Sequence, residues 1–210
     1  MIISNTINDF FNNFHLTDTS LKTYYAKYRS EFQHAEENLI FLEDDISTTL
    51  SKLETDTAQI LKINTKLVHI IFEVRLQILK QFNTYLRPDI YFLIGAYRKD
   101  GFLKIEDTPH IYFFIESLCE HYDDLYDIIA YYFTKLLLRQ LNSTSENSIL
   151  EEAVTSHIMN KLNYTYPYTN NNKYKAIQNL ETKLNEQLQT DSIIKLFTEN
   201  EHSEILKRYS

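Results

Sequence analysis

Arg87-Pro88-Asp89-Ile90-Tyr91-Phe92-Leu93-Ile94-Gly95 is the stretch at which the chain changes texture, and its reading decides the fold. Upstream, from about Ser47 to about Tyr85, apolar residues recur at three- and four-residue spacing: Leu50, Leu53, Ile60, Ile63, Leu67, Ile70, Ile71, Val74, Ile78 and Leu79. No Gly or Pro interrupts them, and the pattern is that of one long amphipathic helix. Pro88 disfavours helical geometry at Arg87, so the helix is expected to end here. Ile90–Ile94 then reads as a short buried strand, β-branched and aromatic. Both glycines of the chain follow at once, Gly95 and the turn-like Asp100-Gly101. Phe102-Leu103-Lys104-Ile105 and Ile111-Tyr112-Phe113-Phe114-Ile115 read as two further strands. A sheet of about three strands is therefore expected near residues 89–116.

Outward from this point helical periodicity returns on both sides. Ile7, Phe10, Phe11 and Phe14 mark a first amphipathic segment. A second follows the cap-like Thr17-Asp18-Thr19 and carries Leu21, Tyr24, Tyr25, Tyr28 and Phe32. Beyond the sheet, acidic Asp123-Asp124 suits the start of a helix running to about Leu141. A polar loop, Asn142–Ser145, precedes a helix near Ser148–Leu162. Tyr164–Asn172 reads as a flexible stretch, and Lys173–Leu188 and Ser192–Tyr209 as a helical tail. With 2 Gly and 3 Pro in 210 residues, breakers are too scarce for a many-turned sandwich or barrel. The expected fold is α+β: a helix-dominated single domain with a small sheet over residues 1–163, and a helical tail, 164–210, packed on it.

Composition narrows function by exclusion. A hydrophobic share of 43% and an aromatic share of 14% are too high for intrinsic disorder. The formal net charge of −8 repels phosphate backbones and anionic lipid heads, which disfavours nucleic acid and membrane surfaces and favours a basic protein or peptide as partner. Clusters Glu36-Glu37 and Glu43-Asp44-Asp45 read as solvated faces or as a patch for such a partner. Cys119, the lone cysteine, excludes an internal disulfide or a multi-cysteine zinc site and reads as a buried thiol. No stretch approaches 18 consecutive apolar residues, and Met1-Ile2-Ile3-Ser4-Asn5 lacks a basic start followed by an apolar run. Cytoplasmic residence and no cofactor are the expectations.

The chemistry-bearing segment is Leu125-Tyr126-Asp127-Ile128-Ile129-Ala130-Tyr131-Tyr132-Phe133-Thr134-Lys135-Leu136-Leu137-Leu138. Zincin metalloproteases carry His-Glu-x-x-His on one helix, two imidazoles a turn apart reaching one zinc while the Glu polarises water. This chain has that helix's apolar frame with Tyr131, Tyr132 and Lys135 at the three positions. Asp89–Gly95 looks like the strand-and-glycine motif of bacterial predicted Zn-dependent proteases related to gliding-motility lipoprotein B. Asp100-Gly101 and Ile111–Glu116 could supply that family's turn and second strand. Leu150-Glu151-Glu152-Ala153-Val154-Thr155 is similar to its Glu-Gly-x-Ala-Thr segment, with Glu151 at the third-ligand position and Glu152 where the Gly would stand. Tyr24-Tyr25-Ala26-Lys27-Tyr28 is similar to its aromatic entry segment. The resemblance spans roughly Leu21–Leu162.

It implies a zincin-like fold without zincin chemistry. Phenols and an ammonium cannot replace paired neutral imidazoles, and a cation at position 135 repels a metal. The expectation is a pseudo-peptidase that binds no metal and whose relic site, Tyr131, Tyr132, Lys135 and Glu151, serves binding at most. An alternative is an acidic helical interaction protein of immunity type, unrelated to peptidases. A third is a hydrolase with a relocated site, for which His110, Glu116 and His121, with Glu120, are the cleft candidates. The seven histidines form no His-x-x-x-His or His-x-His pair. Tyr131 and Lys135 also fit the Tyr-x-x-x-Lys of short-chain dehydrogenases, but two glycines cannot build the dinucleotide loop that chemistry needs. A plainer reading is structural: Tyr132 on an apolar face with Phe133, Leu136 and Leu137, Tyr131 and Lys135 snorkelling at its edge, and Glu151 a solvated first-turn carboxylate.

Overall fold

The computed structural model describes residues 1–32, 43–141, 148–169 and 172–187. Expectations for Glu36-Glu37, Asn142–Ser145 and the helix Ser192–Tyr209 lie outside the described residues. The fold is α+β, helix-dominated with a small four-stranded sheet. Its residues group into two compact units, Met1–Ile70 with Arg87–Leu125 and Ile71–Leu86 with Tyr126–Ser210.

The first unit opens with β1 (Ile3–Asn5), α1 (Ile7–Asn13), α2 (Asp18–Lys27) and the single turn α3 (Arg29–Phe32). Thr17 caps α2, its hydroxyl accepting from the Ser20 N–H at 3.2 Å. Helix α4 (Glu43–Phe82) supplies its residues up to Ile70 to this unit. The sheet adds β2 (Asp89–Leu93), β3 (Gly101–Lys104) and β4 (His110–Phe114) in the order β1-β2-β4-β3. β1 and β4 run parallel to β2, and β3 pairs antiparallel with β4. The strand missing from the sequence reading is β1; three residues are too few to show a period. A 3-10 helix, Ser117–Asp124, leaves β4 and kinks at His121, whose φ −117° and ψ 26° are not helical.

One relay of buried hydrogen bonds ties the opening segment to the sheet. The Ile94 N–H donates to the Tyr24 phenol (3.0 Å). The Thr6 hydroxyl gives its one proton to the Phe92 carbonyl (2.9 Å), which leaves the Tyr24 phenol as donor to Thr6 (2.5 Å). Tyr24 is fully buried, so its polar tip needs these partners. Beside it the Tyr25 phenol donates to the Gly95 carbonyl at 3.1 Å. Asn64 of α4 joins the same region, accepting from Asn5 and donating to Asn8.

The second unit contains the last turns of α4, α5 (Leu125–Gln140) from Tyr126 onward, α6 (Ser148–Lys161) and α7 (Tyr174–Gln187). Ile128, Ile129, Phe133 and Leu136 of α5 are fully buried, as are Ala153, Val154 and Ile158 of α6. Ser156 and Asn160 of α6 both donate to Glu181 of α7, at 2.6 and 2.5 Å. Helix α4 does not run to Pro88. Asn83 adopts φ 51°, and its N–H closes on the Leu79 carbonyl at 2.9 Å, a left-handed C-terminal cap. Arg75 then holds the chain beyond the cap, Nε and Nη2 donating to the Leu86 carbonyl at 3.0 and 2.7 Å.

This cap generates a prediction. Asn83→Gly should leave stability within a few tenths of a kcal/mol of wild type, because glycine enters the left-handed region freely. Asn83→Val should cost about 1–2 kcal/mol. Urea denaturation of the two variants measures the difference; equal stabilities would show that the cap does not set the end of α4.

Candidate functional site

Tyr131, Lys135 and Arg139 follow one another at four-residue intervals along α5, so their side chains share one edge of the helix. Glu151 lies in the first turn of α6 and Glu152 follows it. Here the two helices exchange charge. The Lys135 ammonium lies 3.2 Å from Glu151 Oε1 and 2.7 Å from Glu152 Oε1. Arg139 Nη2 donates to both oxygens of Glu151 at 3.0 Å. The Tyr131 phenol donates to Glu152 Oε1 and the Tyr166 phenol to Oε2, each at 3.0 Å. Two cations and two phenols thus satisfy two carboxylates, and the set is electrically neutral.

Aromatic rings close over it. The Tyr166-Pro167-Tyr168 segment lays Tyr168 edge-on to Tyr131, centroids 4.7 Å apart, with Tyr166 5.9 Å away. Tyr132, T-shaped to Tyr131, accepts a long 3.5 Å hydrogen bond from Tyr168 rather than joining the charged cluster. Burial, and then the Glu152 charge, hold the Tyr131 phenol far above its ordinary acidity range, and the same causes act on Tyr166. Both are neutral hydrogen-bond donors at physiological pH, unsuited to abstract a proton or to bind a metal as phenolate.

Of the four relic candidates, the structure brings together Tyr131, Lys135 and Glu151. It leaves Tyr132 outside. Glu151 is not the solvated carboxylate of the plainer reading; its side chain is 6% exposed and it is ion-paired. Glu152, Arg139 and Tyr166 are the partners that sequence reading missed. Arg139 could have been found by extending the four-residue spacing one step beyond Lys135. Nothing local in the sequence announces that Tyr166 folds back.

The cleft candidates belong to the first unit. His110 begins β4, its ring stacked on Tyr91 (5.6 Å, 5°) and 3.9 Å from Glu106. His121 marks the kink in the 3-10 helix. Glu116 is fully buried, its Oε1 accepting from the Gly95 N–H at 2.9 Å and the Tyr97 N–H at 3.3 Å. Glu120 and Cys119 line a cleft of about 330 Å³ with Ser51, Lys52, Thr55 and Asp56 of α4. Cys119 is half-buried rather than buried, and desolvation pushes its thiol up to about 12, which disfavours the thiolate. Among the described residues no group of three or more His, Cys, Asp or Glu side chains is placed to hold a metal ion. His110, Glu116, Glu120 and His121 therefore do not converge on one.

Comparison with protein-family models, with curated proteins and with solved structures finds no match.

Because Lys135 touches both carboxylates, its removal should be felt beyond one contact. Lys135→Met should destabilise the protein by about 1–3 kcal/mol, the range for leaving charged partners underpaired in a partly exposed site. Adding Glu152→Gln should recover part of that loss. A double-mutant cycle in urea checks it, and strictly additive effects would show that Lys135 and Glu152 are not coupled.

Proposed function

We propose that this chain is a catalytically inactive, zincin-like protein, a pseudo-peptidase that binds a basic protein or an extended peptide. The observation that carries the reading is the position of the Lys135 ammonium. It lies between the carboxylates of Glu151 and Glu152, on the helix position where the second zinc-binding histidine of the resembled family would stand. Tyr131, one turn earlier, is hydrogen-bonded to the same carboxylate pair. On this reading an ammonium with three N–H donors replaces a divalent cation, and Arg139 supplies the second positive charge. No general base is left: position 132 is a tyrosine turned toward Tyr168.

The binding half of the proposal rests on charge and on a free sheet edge. A net charge of −8 favours a basic partner. In the first unit, β3 pairs on one side only among the described residues. The Phe114 N–H donates to the Asp100 carbonyl at 3.0 Å, which sets the register so that Phe102 and Lys104 face β4. The backbone N–H and C=O groups of Leu103 then point away from the sheet, while Gly101, in the same register, is buried. An extended peptide could pair there as an added strand.

Restoring the lost ligands tests the reading. The triple variant Tyr131→His, Tyr132→Glu, Lys135→His should bind zinc at near 1:1 stoichiometry by metal analysis, with Glu151 as third ligand. Wild type purified alongside should carry none and cleave no peptide. A folded triple variant without zinc would remove the zincin reading, and stoichiometric zinc with peptidase activity in wild type would remove the claim of inactivity.

A further inference from the structure

Three rings stand in a row on one face of the sheet. Tyr91 of β2 pairs in register with Tyr112 of β4, and Tyr112 with Phe102 of β3. Registered partners project to the same face, and neighbouring strands lie about 4.8 Å apart, so flat side chains at such positions can stack. Here they do: Tyr91 and Tyr112 have centroids 4.6 Å apart at 10°, and Tyr112 and Phe102 4.3 Å apart at 3°. Tyr112, between the other two, is fully buried, whereas Tyr91 and Phe102 are partly exposed. The ladder ends at Phe102, because β3 is an edge strand among the described residues. Phe102 stacks on Tyr112 and, at 6.1 Å, on Phe114, both of β4. Among the described residues no third ring lies against it.

We propose that the peptide added at this edge is selected by an aromatic side chain that stacks on Phe102 as the fourth ring of the ladder. The inference rests on the extended-peptide reading above and names what that peptide must carry. The outward N–H and C=O groups of Leu103 form a hydrogen-bonded pair with an antiparallel added strand. Phe102 then falls in the next, non-hydrogen-bonded pair, where Cα atoms approach to about 4.5 Å and side chains are closest. Just past β3, Ile105 is 50% exposed and offers the same peptide an apolar contact. Lys104, next along the ladder's face, is ion-paired with Glu106 at 2.9 Å, so ring stacking rather than charge is what this face of the edge offers. A second copy of the chain fits less well. Two β3 strands paired Leu103 to Leu103 would set Phe102 opposite Lys104, and the ring-on-ring register needs the backbone of Gly101, which is buried.

The chain has no Trp, so a peptide tryptophan is the sole indole in solution and its emission reports binding directly. The probe is the peptide Lys-Thr-Val-Lys-X-Lys-Val-Thr-Lys with X = Trp; its relatives with X = Phe, cyclohexylalanine or Leu are measured by displacement. The Phe peptide should bind about three- to tenfold more tightly than its cyclohexylalanine twin, which matches it in size and apolarity but lacks the aromatic face. Phe102→Leu should remove that preference and leave the affinity of the Leu peptide unchanged. Equal affinities of the Phe and cyclohexylalanine peptides for wild type would overturn the stacking inference alone, and that comparison stands even should Phe102→Leu fail to fold. A preference that survives in folded Phe102→Leu would overturn it as well. No binding by any of the four peptides would remove the extended-peptide reading and this inference with it.

Discussion

A carboxylate taken out of water must meet opposite charge, strong donors or a proton, and buried Glu116, buried Glu151 and part-buried Glu152 meet this demand differently. Glu151 and Glu152 are neutralised by Lys135 and Arg139, with the phenols of Tyr131 and Tyr166 filling the remaining lone pairs. Glu116 is held by the backbone N–H groups of Gly95 and Tyr97, with the Ser117 hydroxyl a further donor. Completed networks stiffen what they join. The first arrangement joins α5 to α6; the second holds the turn after β2, in which Tyr97 sits at φ 55°.

Much of the helical framework was legible because its signals are local. Thr17 caps α2 as its position before an apolar period requires, and the uninterrupted spacing from Leu50 to Leu79 lies within one helix. The end of that helix was misplaced. Pro88 is the louder breaker, but Asn83, able to enter the left-handed region, acts five residues sooner. β1 escaped for a different reason. Its three residues become a strand only by pairing with β2, which follows them by more than eighty positions. No window around Ile3 contains that information.

The site shows the same division. One-turn spacing put Tyr131 and Lys135 on one helix edge, and the order of motifs placed Glu151 opposite, so their meeting was visible in the chain. Glu152 was read as the replacement for a glycine, and its part as shared acceptor of Tyr131, Lys135 and Tyr166 depends on a backbone that folds Tyr166 onto α5. Glu116 was named only as a possible cleft acid. Its distinguishing property, full burial with two N–H donors from a turn some twenty residues away, arises from the β2–β4 pairing.

On the reading proposed for the function, charge conservation accounts for the substitutions as a set. Losing a divalent ion beside Glu151 leaves negative charge that a neutral replacement cannot offset, and Glu152, where the resembled family has Gly, adds a second charge. Lysine at position 135 supplies one positive charge on the side chain nearest both acids, and Arg139, a turn further, supplies the second to Glu151 alone. Tyrosine at 131 adds a donor where an imidazole would have turned a lone pair toward the metal. The changes at 131 and 135 each remove a metal-binding feature and add a proton donor facing an acid. Helix geometry by itself sets residues four apart on one edge, so an unrelated helical pair could assemble the same ion-pair cluster.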